Sequence, residues 1–160
     1  MPAKYRYFAI TVAVVVLLDQ ITKALVLRHF QLHDRINVIP GLFNLTHIRN
    51  PGGAFGVLAG GGSELRNWLF LGAGTVALGM ILYFLHATPD SDRLMRFALA
   101  LIFGGAIGNI IDRLRFGEVV DFLDFYIGQL HWPAFNVADS AITVGILLFV
   151  YHIVVRPMPQ

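Results

Sequence analysis

The chain has 160 residues, of which 56% are hydrophobic and 14% charged, a balance that excludes an ordinary soluble domain and points to lipid. Cysteine is absent, so disulfides, thiolate metal ligands and cysteine nucleophiles are excluded together. The twelve Lys and Arg are dispersed and the formal charge is only +2, so no basic tract suggests a nucleic-acid partner.

A spanning helix needs roughly 20 mostly apolar residues, and four such stretches occur in chain order. The first runs from about Tyr7 to Leu27 behind Lys4 and Arg6. This imitates a signal peptide, but no small-x-small site follows and Asp19 and Lys23 continue the helical pattern, so an uncleaved first helix is expected. Residues 28–65 form an extramembrane segment punctuated by Pro40, Gly41, Pro51, Gly52, Gly53 and Gly60 to Gly62. Within it, Ile36 to Ile39 and Leu42 to Ile48 lean towards strands. The apolar, glycine-flanked piece Ala54 to Ala59 is expected at the interface as a short helix or strand.

The second span covers about 68–85, has no ionisable group between Arg66 and His86, and is read as scaffold, with Gly72, Gly74 and Gly79 offering close helix approach. A turn with Pro89 leads to the third span, about 94–114, where Gly104 and Gly108 form a small-x-x-x-small pair. Residues 117–135 are a second extramembrane connection, and the fourth span covers about 137–155. The expected fold is an all-α membrane protein in one domain, residues 1–160: four transmembrane helices, a small extramembrane β-rich or loop subdomain, and a short interfacial helix or loop. Both termini then share one face. Lys and Arg number five on that face against seven on the other, so the positive-inside rule does not select an orientation.

Ionisable groups in a membrane each cost about 2.5 to 3.5 kcal/mol on insertion scales. Asp19 and Lys23, four apart on one helix face, are expected to neutralise each other and to tie the first helix to its neighbours. At the end of the third span, Asn109 and Asp112 share a face, and Arg113 is placed to snorkel or to fork onto a carboxylate. Asp121 lies among Val119, Val120, Phe122 and Leu123, and Asp139 in the first turn of the fourth span, where a negative charge also suits the helix dipole. These acids gather at one face, whereas a proton or ion path needs steps through the bilayer. Two carboxylates brought close cannot both ionise: one takes a proton from water while the other donates to a scissile carbonyl, without a cofactor.

Other chemistries fit less well. Ser140 lacks an available lysine, since Lys4 belongs to the opposite face and Lys23 is matched by Asp19. The six histidines are scattered without a metal-ligand spacing, and interface positions are expected for most of them. Asp124 is expected to be a solvated acid.

Taken in order, Asp19 to Lys23, Asn50-Pro51-Gly52-Gly53-Ala54-Phe55, Gly108-Asn109 with Asp112-Arg113, Val120-Asp121-Phe122, and Phe135-Asn136 with Ala138-Asp139-Ser140 resemble the motifs of bacterial lipoprotein signal peptidase, or signal peptidase II, over nearly the whole chain. The resemblance implies an aspartic endopeptidase of the bacterial inner membrane that removes signal peptides from prolipoproteins before a diacylglyceryl-modified cysteine. It implies Asp121 and Asp139 as the catalytic dyad, supported by Asn50, Gly52, Asn109, Asp112, Arg113 and Asn136, with Asp19 and Lys23 as a structural pair. It further implies cytoplasmic termini, a site near the periplasmic face, sensitivity to the cyclic peptide globomycin, and neither metal nor cofactor; a monomer is expected. Pro51 stands where relatives often have Thr, and Gly53 where Ala is common, so loop stiffness is expected to differ. The apolar segment from Phe43 to Leu58 is expected to act as a clamp or lid over a lipidated substrate.

Overall fold

Residues 3–52 and 63–155 are described by a computed structural model. Their hydropathy pattern becomes four helices, α1 (Ala3–His29), α2 (Ser63–Ala87), α3 (Arg93–Phe116) and α4 (Val137–Val155). Each is long and apolar enough to cross a bilayer, and the chain is a multi-pass membrane protein. The first three helices run past the apolar stretches read from sequence, because backbone hydrogen bonding continues where Lys4, Arg93 and Arg115 already meet the headgroup level. Asp92 begins α3 by accepting a hydrogen bond from the Met95 amide, and Gly117 ends it in the left-handed conformation (φ 74°), its N–H reaching the Arg113 carbonyl.

Lipid tails offer helices no hydrophobic reason to associate, so close contact between small residues must hold the bundle. Helix α3 packs against α1, α2 and α4, and its glycines make those approaches. A Cβ at Gly104 would lie 2.9 Å from the Val15 side chain of α1, and one at Gly105 would collide with the Ala138 carbonyl of α4. From α4, Gly145 returns the contact against Ile102 and the Ala98 carbonyl. The small-residue stripe thus serves two partners, α1 through Gly104 and Gly108 and α4 through Gly105. Helix α2 departs from expectation: Gly74 lies against Ile110, whereas a Cβ at Gly72 or Gly79 would meet nothing within 4 Å among the described residues.

The extramembrane residues form an antiparallel sheet in the order β1 (Arg35–Ile39), β2 (Phe43–Asn50), β3 (Val119–Ile127) and β4 (Leu130–His131). Segment 117–135, read from sequence as a connection, therefore contains the longest strand. Its Val120 and Phe122 carry β propensity and are buried against Val26 of α1. The stretch from Phe43, expected as a lid, is sheet up to Asn50; the rest of it, including the piece Ala54 to Ala59, lies outside the described residues. Pairing of β2 with β3 shifts register between Leu45 and Ile48. Beyond that bulge Ile48 faces Asp121, and Asn50, two residues on, projects from the same face as Asp121.

The glycine contacts give a paired expectation. Gly105→Ala overpacks the α3–α4 contact and costs about 1–3 kcal/mol, lowering the thermal midpoint in detergent. Gly72→Ala, facing open space, keeps or raises it by virtue of better helix propensity.

Candidate active site

A lysine ammonium has three protons to donate, and each of those of Lys23 has a partner. Its Nζ lies 2.8 Å from Asp19 Oδ2 and 3.0 Å from Asp112 Oδ2, and donates to Asn109 Oδ1 at 3.0 Å. All three charged side chains are sealed from solvent. The carboxylates reach further: the second Asp19 oxygen, Oδ1, accepts from the Ala138 amide at 2.9 Å, and Asp112 Oδ2, already paired with the lysine, also accepts from the Val120 amide at 3.0 Å. One buried cation thereby joins α1 to α3, the start of α4 and the start of β3. Gly108 makes room for this, since a Cβ there would stand 2.6 Å from the Asp19 carboxylate.

Gln20 belongs to the same cluster, and sequence reasoning passed over it. Its amide nitrogen donates to Asp112 Oδ1 at 3.0 Å, Asp19 Oδ2 at 3.1 Å and the Gly108 carbonyl at 3.2 Å. The available signal was an amide beside Asp19 in an otherwise apolar run.

Asp139 and Asn136 form a reciprocal cap at the start of α4. The Asp139 amide donates to Asn136 Oδ1 at 2.9 Å, and the Asn136 amide donates to Asp139 Oδ2 at 3.2 Å, the capping-box arrangement in an Asn/Asp version. Asn109 donates to the other Asp139 oxygen at 2.8 Å. From β3, Asp121 is 1% exposed and accepts from Asn136 Nδ2 at 2.8 Å and from Asn50 Nδ2 at 2.9 Å. Asn136 therefore touches both aspartates, Asp121 through its amide NH2 and Asp139 through its carbonyl and backbone. Asp139 is half-buried, more open than Asp121. Burial pushes the Asp121 carboxyl from 3.8 to about 7; the hydrogen bond from Asn50 opposes this, and the nearby Asp139 charge adds to it.

Asn50 is itself fixed: its Oδ1 accepts the Gly52 N–H at 2.8 Å, a local Asx turn. Gly52 has φ 85°, and a Cβ there would strike the Phe70 ring and stand 2.9 Å from Arg113, so both conformation and space demand glycine. Arg113 does not fork onto a carboxylate. Its guanidinium lies 4.4 Å from the Phe70 ring centroid and reaches the Pro51 carbonyl at 3.4 Å, and among the described residues it makes no ion pair within 4.0 Å. Asp112 has been captured by Lys23, which leaves Arg113 to the loop backbone while its charge still acts on Asp121 and Asp139.

Asp124 also differs from expectation. It is buried, accepting from Asn44 at 2.8 Å, bonded to His131 at 2.8 Å, and 3.7 Å from Arg35. Although burial acts to raise it, the bonds from His131 and Asn44 hold its carboxyl below the usual carboxylate range. Three residues from Asp121 on one strand, it points to the opposite face. His47 and His152 are buried rather than interfacial, the first bonded to the Phe30 carbonyl and the second to Asp92. Ser140 Oγ donates back to the Asn136 carbonyl at 2.9 Å, which ties it into the helix turn.

Four spanning helices with two aspartates joined through one asparagine at the bundle's end define a membrane protein built around a carboxylate pair. The family model for signal peptidase (SPase) II matches residues 11–155. The lipoprotein signal peptidase of Desulforapulum autotrophicum is 56% identical over 147 residues, covering 92% of this chain and 91% of the relative. That of Syntrophus aciditrophicus is 52% identical over the same shares of both chains. Two solved structures, each described as a bacterial membrane enzyme, superpose with TM-scores of 0.82 and 0.83 at 33% and 34% identity. They cover 96% and 95% of this chain and 93% and 94% of their own. The chain belongs to the signal peptidase II family, a family of aspartic peptidases.

Removing the buried cation should be costly. Lys23→Met leaves Asp19 and Asp112 facing each other without a counter-charge and is expected to destabilise the chain by about 3–5 kcal/mol, read as a large drop in the thermal midpoint in detergent.

Proposed function

We propose that this chain removes signal peptides from prolipoproteins in the bacterial inner membrane, cleaving before a diacylglyceryl-modified cysteine with Asp121 and Asp139 as the catalytic pair. The observation that carries this reading is the double engagement of Asn136. One side chain with one backbone amide holds an aspartate of β3 and an aspartate of α4 in fixed relation.

In this reading Asp121, buried and raised to about 7, keeps the pair's proton at neutral pH. Asp139, more open to solvent, takes a proton from water as the water oxygen attacks the scissile carbonyl carbon. Asp121 gives its proton to the carbonyl oxygen, producing a neutral tetrahedral diol. On collapse the C–N bond breaks, the departing nitrogen receives the proton that Asp139 had taken, and the diol returns the other to Asp121. Asn109 donates to Asp139 and Asn50 to Asp121, so neither carboxyl needs to reorient between steps. Arg113 and Gly52 act as positioning residues for Asn50, and Asp19 with Lys23 and Asp112 positions the strand and helix that carry the pair.

The substrate's acyl chains must stay in lipid while its peptide bond meets water, and a pair at the ends of helices meets both demands. The pair stands at the face opposite the termini, which we assign to the periplasm, with the termini cytoplasmic. A globomycin-type cyclic peptide is expected to compete for the same position, and the enzyme is expected to work as a monomer.

Asp121→Asn and Asp139→Asn are each expected to lower turnover of a lipidated precursor by about 10²–10⁴-fold, with wild-type turnover indifferent to a chelator; full activity in either variant would exclude the pair. Turnover should also fall as pH rises through about 7, because Asp121 must carry its proton. The stability sign agrees. The folded carboxyl binds its proton at higher pH than the unfolded one, so the group weakens the fold progressively as pH rises from 3.8 to about 7. Asp121→Asn should abolish both dependences in pH-resolved assays and unfolding curves.

A further inference from the structure

At the opposite end of the bundle from the aspartate pair, a cavity of about 490 Å³ opens between the beginnings of α1 and α3. One wall is a single face of α1, Lys4, Tyr7, Phe8 and Thr11, spaced by three and four residues; the other comes from Arg93 and Arg96 of α3. Three cations thus line a hollow against a single carboxylate, Asp90, which is exposed and lies 3.5 Å from Lys4. None of these groups takes part in the site described above.

The cations are not equivalent. The Lys4 ammonium is engaged, donating to the carbonyls of His86 at 3.2 Å and Thr88 at 3.3 Å, where it closes the end of α2. Arg96 is 9% exposed, and its only side-chain hydrogen bond among the described residues runs from Nε to the Asp92 carbonyl at 3.1 Å. The two terminal nitrogens of its guanidinium have no acceptor among those residues and are left to the hollow that Arg96 lines. Arg93 is exposed at the first turn of α3 beside it and is likewise without an ion pair among the described residues. Asp92 has its side chain committed to the Met95 amide and to His152 Nε2 at 2.9 Å, so it does not neutralise Arg96.

A paired-oxygen anion suits this guanidinium: its fork matches phosphate oxygens bidentately. The location narrows the source. Lys4 and Arg93 begin the spans they belong to, which puts the hollow at headgroup depth, and its outer rim carries Tyr7, 59% exposed, and Phe97, 48% exposed. Those rings face the lipid, where acyl chains descending from a seated headgroup would lie. Basic pockets between spanning helices bind anionic headgroups on this principle.

We infer that the Arg93–Arg96 hollow between α1 and α3 is a binding site for the phosphodiester headgroup of an anionic membrane lipid. The bound lipid bridges the starts of two helices and so holds the end of the bundle remote from the peptidase site.

The test uses the full chain in neutral detergent, titrated with phosphatidylglycerol, phosphatidylcholine or inorganic phosphate and read by native mass spectrometry and thermal unfolding. Phosphatidylglycerol should bind more tightly than phosphatidylcholine and raise the unfolding midpoint. Arg93→Gln and Arg96→Gln should each weaken phosphatidylglycerol binding by about fivefold, while Arg28→Gln, which removes an exposed cation at the other face, should leave it unchanged. Arg93 is exposed, so its variant is informative even where Arg96→Gln folds poorly. Equal binding of the two lipids, or an equal loss in Arg28→Gln, would overturn the site; displacement of the lipid by millimolar inorganic phosphate would overturn its assignment to lipid.

Discussion

The buried ammonium of Lys23 is the constraint on which the rest of the fold depends. A charge sealed inside an apolar bundle has no tolerable state except full pairing, and here the pairing reaches three elements at once. Asp19 accepts from the lysine and from the Ala138 amide, and Asp112 from the lysine and from the Val120 amide. Ala138 immediately precedes Asp139, and Val120 immediately precedes Asp121. The catalytic aspartates of the proposed mechanism therefore sit one residue beyond two backbone amides that the structural acids hold. In a bundle without hydrophobic driving force between helices, such polar ties together with the glycine contacts of α3 set the positions of the strand and helix that carry the pair.

A division of labour among carboxylates follows. Asp19 and Asp112 face a cation and donors, Asp124 faces Asn44, His131 and Arg35, and each has a settled charge environment within the structure. Asp121 and Asp139 accept from amides, feel each other's charge, and make no ion pair among the described residues. Neutral asparagine donors, themselves held by the Gly52 and Asp139 amides, orient the Asp121 carboxyl without bringing a full positive charge against it. Lysine or arginine in contact would lock the charge and remove the acid. The distance of Arg113 from both carboxylates, imposed by its stacking on Phe70, fits that requirement.

Much of this was legible in the sequence, for identifiable reasons. Apolar length marked the four spans because a bilayer enforces it, and an ionisable residue in such a run stands out because lipid makes it expensive. That is why Asp19, Lys23, Asp112 and Asp139 were visible as single residues, and why the motif order carried the family. What the sequence concealed was contact at a distance. Strand β3 was hidden because both of its faces are buried near its start, which erases the alternation that betrays a half-buried strand. The partners of Asp124 come from three other strands, and the Asn50–Asp121 bond depends on a bulge that no local pattern announces. Gly72 and Gly79 look the same in sequence as Gly104 and Gly105, yet only the latter pair meets another helix.

The account rests most directly on Asp121 and Asp139 sharing one electrostatic environment. Infrared titration of the protonated carboxyl band, with isotope-labelled aspartate in the full chain, measures this without substrate. The account predicts a carboxyl that loses its proton near pH 7, absent in Asp121→Asn and shifted to lower pH in Asp139→Asn, where the neighbouring charge is gone. A midpoint in the ordinary carboxylate range, or one that Asp139→Asn leaves in place, would contradict it.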